Sequence, residues 1–269
     1  MVSSTDIFAY GASIWHTTDG GTTWSRLSYA PAVDTMASGE SGVWVGLSCP
    51  DQSSCPAPIN VVSNGHFVPL SHQPAGVVEA ITTSGAEAYA IVDDGDGDTE
   101  LAVSGDGGTT WQQRAFPQTD CSSMRPGFTV TTTGAAYLVC ASGASAGTEP
   151  KDLFASEDAG VTWSARSTLE ASGYADGIVA ASPDVLWRYG ARAPVFRSTD
   201  AGRSWQDQLD DKVGDAAGAS TEAFAASGTV ALTFAFALPP SSTFTGPSTI
   251  NEYRTTDTGA TWQTIPLQP

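Results

Sequence analysis

Basic residues are scarce in this chain of 269 residues. Lys and Arg together number 11 against 29 Asp and Glu, which leaves a formal net charge of −18 at pH 7. Binding to nucleic acid or to an anionic membrane surface needs clustered Lys and Arg side chains. The charge therefore argues against both partner classes, and it is typical of a protein kept soluble by its acidity.

Long apolar stretches are also missing. No run of 18 apolar residues is present, so no transmembrane helix is predicted. The apolar runs are short and alternating, and Gly, Pro, Ser, Thr and Asp separate them without any helical periodicity. This pattern predicts an all-β protein.

One eight-residue pattern, Ser/Thr-x-Asp-x-Gly-x-Thr/Ser-Trp, occurs five times. Each copy lies between two runs of strand-forming residues, which is typical of a hairpin turn. The Asp is expected to accept backbone N–H bonds, the Gly to take positive φ, and the Trp to cover the turn. The structural positions are Asp19 and Trp24, Asp106 and Trp111, Asp158 and Trp163, Asp200 and Trp205, and Asp257 and Trp262.

This pattern is the Asp-box, or BNR repeat, and the chain resembles the sialidase-like β-propellers that carry it. The first interval between boxes, from Asp19 to Asp106, is about twice a propeller repeat of roughly 40 to 50 residues. An Asn64-Gly65 hairpin signal fills the gap, so six four-stranded blades are predicted in one domain. The expected blades are 1–30, 31–74, 75–118, 119–168, 169–211 and 212–269.

Within the third repeat, the predicted strands A to D are Val77–Ser84, Glu87–Asp94, Thr99–Asp106 and Thr109–Phe116. The first repeat, from Met1, matches the fifth, from Ile178, around the turn between strands A and B. We therefore expect it to begin inside strand A, and residues upstream of Met1 to precede it.

The four cysteines form two expected pairs, Cys49–Cys55 across a short B–C loop and Cys121–Cys140 at neighbouring ends of strands A and B. Disulfides are favoured over metal thiolates because no Cys-x-x-Cys is present, and four free buried thiols are the alternative. Disulfides imply a secreted or cell-surface protein whose signal, or lipoprotein anchor, is not in this sequence. The composition resembles that of exported bacterial proteins.

The family resemblance implies that the D–A and B–C loops form the ligand face, opposite the boxes. All long insertions map to these loops, which is where binding usually resides. We expect a monomer that binds a protein, peptide or glycan there without catalysis. The candidate ligand-binding residues are Arg125, Tyr174, Asp176, Tyr189 and Arg192.

The alternative is a sialidase-like glycoside hydrolase with a divergent site. The family's chemistry needs an arginine cluster, a Tyr nucleophile paired with a Glu, and an Asp acid/base. Tyr174 with Glu170 or Asp176 imitates the Tyr/carboxylate pair, but the Arg-Ile-Pro motif is missing, and Arg188 is the only further arginine expected near the ligand face. No catalytic residue is assigned.

No cofactor is expected except calcium. Asp94, Asp96 and Asp98 alternate like the start of a calcium loop, although the invariant Gly and the bidentate Glu of an EF-hand are missing. A solvated acidic hairpin loop is the other interpretation.

Three tryptophans lie outside the boxes. Trp15, Trp44 and Trp187 fall on B or C strands, where alternation favours packing between blades. A stacking platform for sugars is the alternative.

Mass spectrometry of the unreduced protein should find no alkylatable thiol if both cysteine pairs are bonded. The Cys121–Cys140 bridge closes a loop of about 20 residues, for which chain entropy predicts about 3 kcal/mol of stabilisation. Reduction should therefore lower the melting temperature, and four reactive thiols would contradict the pairing.

Overall fold

The computed structural model describes fourteen segments of the chain. They are residues 5–10, 14–27, 32–39, 42–48, 56–63, 66–94, 99–114, 116–117, 126–141, 149–169, 173–191, 193–209, 219–237 and 250–266. Within them every regular element is a β-strand, and six small antiparallel sheets form the blades of a six-bladed β-propeller. The predicted fold class is confirmed. No helix in these segments is long and apolar enough to cross a membrane.

The strands follow one another in chain order within each sheet. The first sheet contains β1 (Ile7–Ala9), β2 (Ile14–Thr17) and β3 (Ser25–Leu27). The second contains β4 (Val33–Gly39), β5 (Gly42–Leu47), β6 (Ile59–Ser63) and β7 (His66–Pro69). The third contains β8 (Val77–Ser84), β9 (Glu87–Asp93), β10 (Thr99–Ser104) and β11 (Gln112–Arg114).

The remaining three sheets have four strands each. The fourth contains β12 (Gly127–Val130), β13 (Ala136–Ala141), β14 (Lys151–Ser156) and β15 (Ser164–Leu169). The fifth contains β16 (Tyr174–Ala180), β17 (Leu186–Ala191), β18 (Ala193–Ser198) and β19 (Gln206–Asp207). The sixth contains β20 (Ala219–Ser227), β21 (Val230–Ala237), β22 (Ile250–Thr255) and β23 (Gln263–Pro266).

The chain divides into two compact units. The first comprises Met1–Ala136 with Ser156–Trp163 and contains the first three sheets. The second comprises Tyr137–Ala155 with Ser164–Pro269 and contains the fifth and sixth sheets and most of the fourth.

The third sheet matches the sequence prediction closely. Strand A is confirmed over Val77–Ser84, and strands B and C begin as predicted at Glu87 and Thr99. Strand D is shorter than predicted, because the box turn occupies the chain up to Trp111 before β11 begins.

The box Asp holds its turn through both carboxylate oxygens. In the third sheet, Asp106 Oδ1 accepts bonds from the backbone N–H of Thr110 (2.8 Å) and the Ser104 hydroxyl (2.8 Å). Asp106 Oδ2 accepts the Thr110 hydroxyl at 2.7 Å, and Ser104 Oγ accepts the Gly108 N–H at 2.8 Å. The other four boxes repeat this network, so the predicted role of the Asp is confirmed.

Two consecutive box residues have positive φ, where the sequence predicted only the Gly. The residue before the Gly is left-handed even when it carries a Cβ, as at Ala159 (φ 59°), Ala201 (φ 57°) and Thr258 (φ 58°). Its N–H reaches back to the turn between the first two strands of its own sheet, as from Ala201 to the Asp184 carbonyl at 3.0 Å. This bond anchors the box to its sheet.

The Gly itself lies against the preceding sheet of its unit. A Cβ placed on Gly108 would lie 2.7 Å from Leu70 Cδ1 and 2.9 Å from Trp44. The equivalent Cβ on Gly160 would lie 2.6 Å from Leu101, and that on Gly202 would lie 2.3 Å from Leu153. Glycine is therefore needed at this position for close packing as well as for φ.

The tryptophans outside the boxes behave differently from one another. Trp44 and Trp187 are 1 % exposed and belong to apolar cores, as predicted. The prediction was wrong for Trp15, which is 43 % exposed. Ile14 packs with Val33 of the second sheet, and strand alternation sends Trp15 to the opposite face.

Substitutions at Gly107 and Gly108 separate the requirement for positive φ from the requirement for close packing. Gly107→Ala should cost about 1 to 2 kcal/mol, which is the strain of a left-handed Ala alone, because no atom lies within 4 Å of the added Cβ. Gly108→Ala should cost about 2 to 4 kcal/mol, since strain at positive φ adds to overpacking against Leu70 and Trp44. Equal costs in urea unfolding would contradict the packing role.

The box carboxylates should also make stability depend on acid. Hydrogen bonds from the box hydroxyl and backbone N–H groups lower the pKa of each box Asp from 3.8 to about 2. A lowered folded pKa stabilises the protein above pH 3.8, and that contribution disappears as pH falls through about 2. The melting temperature should therefore fall steeply over this range.

Asp158→Asn offers a matched test because it removes one titrating group and keeps the shape of the turn. Its melting temperature should lie roughly 2 to 4 °C below that of the unaltered protein at pH 7. The two values should converge as pH falls below about 2, where the unaltered carboxyl becomes protonated. A gap that stays constant with pH would show that the charge contributes nothing.

Candidate functional site

The described part of the predicted ligand face is best defined in the second unit, where β16 begins. Tyr174 pairs with Ala191, and Gly177 pairs with Tyr189. The register shifts between Tyr174 and Gly177, so Asp176 lies in a β-bulge. Bulges are common beside functional sites because they redirect side chains.

Tyr189 is held between two strands of neighbouring sheets. Its ring stacks on that of Phe224 on β20, with centroids 5.5 Å apart and an angle of 23° between the planes. On the other side it covers Gly177, where an added Cβ would lie 2.2 Å from Tyr189 Cζ and 2.5 Å from the hydroxyl oxygen. The half-buried Tyr189 is therefore fixed by packing, and Gly177 makes the space for it.

A second bulged acid lies on the strand beside β16. The register of β20 shifts between Thr221 and Ala223, which places Glu222 in a bulge equivalent to that of Asp176. Strands β16 and β20 pack against each other. Sequence analysis missed Glu222, because a bulge is defined by pairing with another strand.

The first unit repeats this arrangement independently. Asp34 on β4 and Glu79 on β8 also lie at register shifts near the start of the first strand. These two strands are tied together, because Thr35 Oγ1 accepts the Ile81 N–H at 3.0 Å. A bulged acid near the start of the first strand is thus a recurring feature of four sheets.

Lys151 and Glu149 form a buried ion pair at the start of β14. Lys151 Nζ lies 3.8 Å from Glu149 Oε2, and both side chains are 1 % exposed. Lys151 Nζ also donates to the Glu149 carbonyl (2.9 Å) and to the Gly173 carbonyl (3.1 Å), immediately before β16. The ammonium therefore joins the connection that precedes β14 to the one that precedes β16.

The Arg188 side chain packs on aromatic rings of the fifth sheet. It is 1 % exposed, and its guanidinium carbon lies 4.1 Å from the centre of the Phe196 ring and 5.9 Å from that of Trp205. This cation–π packing lies within the fifth sheet. Arg188 is therefore a packing residue of that sheet.

Several predicted site residues lie outside the described part of the chain. These residues are Arg125, Arg192, Asp96, Asp98, Cys49, Cys55 and Cys121. For Tyr174 and Asp176 the backbone is described and the side chain is not. Asp94 directly follows β9, and the described residues contain no group of three potential metal ligands. Calcium binding thus stays a prediction.

Cys140 is buried on β13 and is disulfide-bonded. Its three possible partners all lie outside the described residues. The two pairings therefore stay predictions.

No protein-family model matches the sequence, and no curated sequence matches it. Solved structures do resemble the fold. An α-L-arabinofuranosidase from Fusarium graminearum, solved with an iminosugar inhibitor, is 12 % identical with a TM-score of 0.60, covering 91 % of this chain and 84 % of its own. An α-L-arabinanase from Penicillium chrysogenum, solved with arabinobiose, is 10 % identical with a TM-score of 0.54, covering 84 % and 80 %.

The protein YCF48, solved with a D1 peptide, is 15 % identical with a TM-score of 0.49 and covers 87 % of both chains. At such identities, structural likeness shows the fold alone.

Proposed function

We propose that this chain is an exported, non-catalytic β-propeller that binds a protein, peptide or glycan through its D–A and B–C connections. The observation that supports this most is the fixed packing of Tyr189 between Gly177 and Phe224. A ligand-contacting ring that is already immobilised loses little conformational entropy on binding. Sites held on strands are also more rigid than sites held on loops.

The chemistry of these residues fits a neutral or basic ligand. Tyr189 offers an aromatic ring and a hydroxyl, and Asp176 on the paired strand offers a carboxylate. Such groups bind peptide N–H groups, basic side chains and sugar hydroxyls. The net charge of −18 favours the same ligands through long-range attraction.

The second candidate function is glycoside hydrolysis. It is favoured by Asp176 and Glu222, which occupy equivalent bulges on adjacent strands, since most glycosidases use two carboxyl groups. A sialidase mechanism is disfavoured, because the Arg-Ile-Pro motif is missing from the sequence and the Arg188 guanidinium packs on the Phe196 ring.

Export and a monomeric state belong to the same proposal. Disulfides form in oxidising compartments, and bonded Cys140 supports export to the cell surface or the medium.

Calcium at Asp94, Asp96 and Asp98 is a further proposal for the acidic loop that follows β9.

The test combines binding and hydrolysis on the same panel. The protein is screened on peptide and glycan arrays, and reducing ends released from arabino- and other oligosaccharides are measured in parallel. We expect retention of an array member without release of reducing ends. Release that Asp176→Asn and Glu222→Gln each lower by about 100-fold would establish the hydrolase instead. If the protein neither retains an array member nor releases reducing ends, both candidate functions are contradicted.

Variants then locate the binding face. Tyr189→Phe keeps the ring stack and removes the hydroxyl, and Asp176→Asn removes one charge, so either should weaken the retained array member about tenfold at unchanged melting temperature. Ala at Arg125, Tyr174 or Arg192 should act likewise. Asp158→Ala should lower the melting temperature and leave affinity intact. The opposite pattern would place the ligand on the box face.

A further inference from the structure

Lys151 is one of only two lysines in the chain, and it is almost fully buried. Lysine is rarely buried unless it is paired, because removing an ammonium from water is costly. The corresponding first residues of the third strand in the third, fifth and sixth sheets are Thr99, Ala193 and Ile250. A buried lysine at this position therefore distinguishes the fourth sheet from these three and is not required by the repeat.

The contacts of Lys151 join two connections that are far apart in sequence. Glu149 precedes β14 in the connection from β13, and Gly173 ends the connection from β15 to β16. Gly173 is buried with φ of 64°, a backbone conformation in which its carbonyl accepts the ammonium at 3.1 Å. The ammonium thus fixes the point where β16 begins.

The second sheet has a comparable tie made by a neutral side chain. Gln73, between β7 and β8, donates to the carbonyls of Ile59 and Leu70 at 2.9 Å and accepts the Ile59 N–H at 2.8 Å. An amide is thus sufficient to hold such a connection. The fourth sheet uses an ion pair instead, and the Gly173 carbonyl that Lys151 binds directly precedes the predicted ligand residue Tyr174.

We propose that Lys151, paired with Glu149, is a positioning residue of the ligand face, which fixes the carbonyl of Gly173 and thereby the Tyr174 to Asp176 segment of β16. This role rests on the proposed binding function. Charge-assisted bonds are stronger than neutral ones. Loss of the ammonium should therefore loosen the start of β16 before the rest of the sheet.

The experiment is hydrogen exchange by mass spectrometry on the full chain, with no ligand needed. Lys151→Met keeps the length of the side chain and removes its donors. Exchange over residues 173–180 should accelerate about tenfold, while residues 127–141 stay protected. Gln73→Met is the matched control, which should accelerate exchange around Ile59 and Leu70 and leave residues 173–180 unchanged.

Binding of the array member that the unaltered protein retains best supplies the second readout. Lys151→Met should weaken it about tenfold, and Gln73→Met should not. Unchanged exchange over residues 173–180 would overturn the positioning role. If the unaltered protein retains nothing on the arrays, the binding function fails while exchange still tests Lys151. Should Lys151→Met not fold, the Glu149→Gln, Lys151→Met double variant, which removes both charges, is measured by the same criteria.

Discussion

The fold depends on how each box turn fits against its neighbours. The box carboxylate closes the turn upon itself, and the left-handed residue after it binds the first turn of its own sheet. The following Gly then lies so close to the preceding sheet that even a methyl group would collide. One short motif thus joins turn, sheet and neighbouring sheet, which explains why its Asp and Gly recur together.

This contact also defines what could be predicted from sequence. Local signals predict the box, the strand order and the limits of strand A in the third sheet. They do so because turns and strand alternation depend on residues that are close in sequence. The left-handed conformation of Ala159 and Ala201 could not be predicted in this way, because alanine has no preference for it. This conformation is imposed by the hydrogen bonds within the box and by the bond from the box to the first turn of its own sheet.

The bulges at the predicted ligand face were harder to predict than the boxes for a related reason. Asp176 was identified, yet Glu222 was not, although both occupy the same kind of bulge. A bulge depends on the register between two strands, and sequence does not state register. Trp15 failed in the same way, because alternation gives the face on which a side chain lies but not what covers that face.

The two ends of the sheets use opposite electrostatic designs. At the box end, exposed carboxylates are stabilised by N–H and hydroxyl donors, so that their pKa falls. At the other end of the fourth sheet, a buried ammonium is stabilised by carbonyls and one carboxylate. Hydrogen bonding to a charged group favours its charged form in both cases. A chain with few cations can therefore use Lys151 where a single positive charge organises backbone carbonyls from two connections.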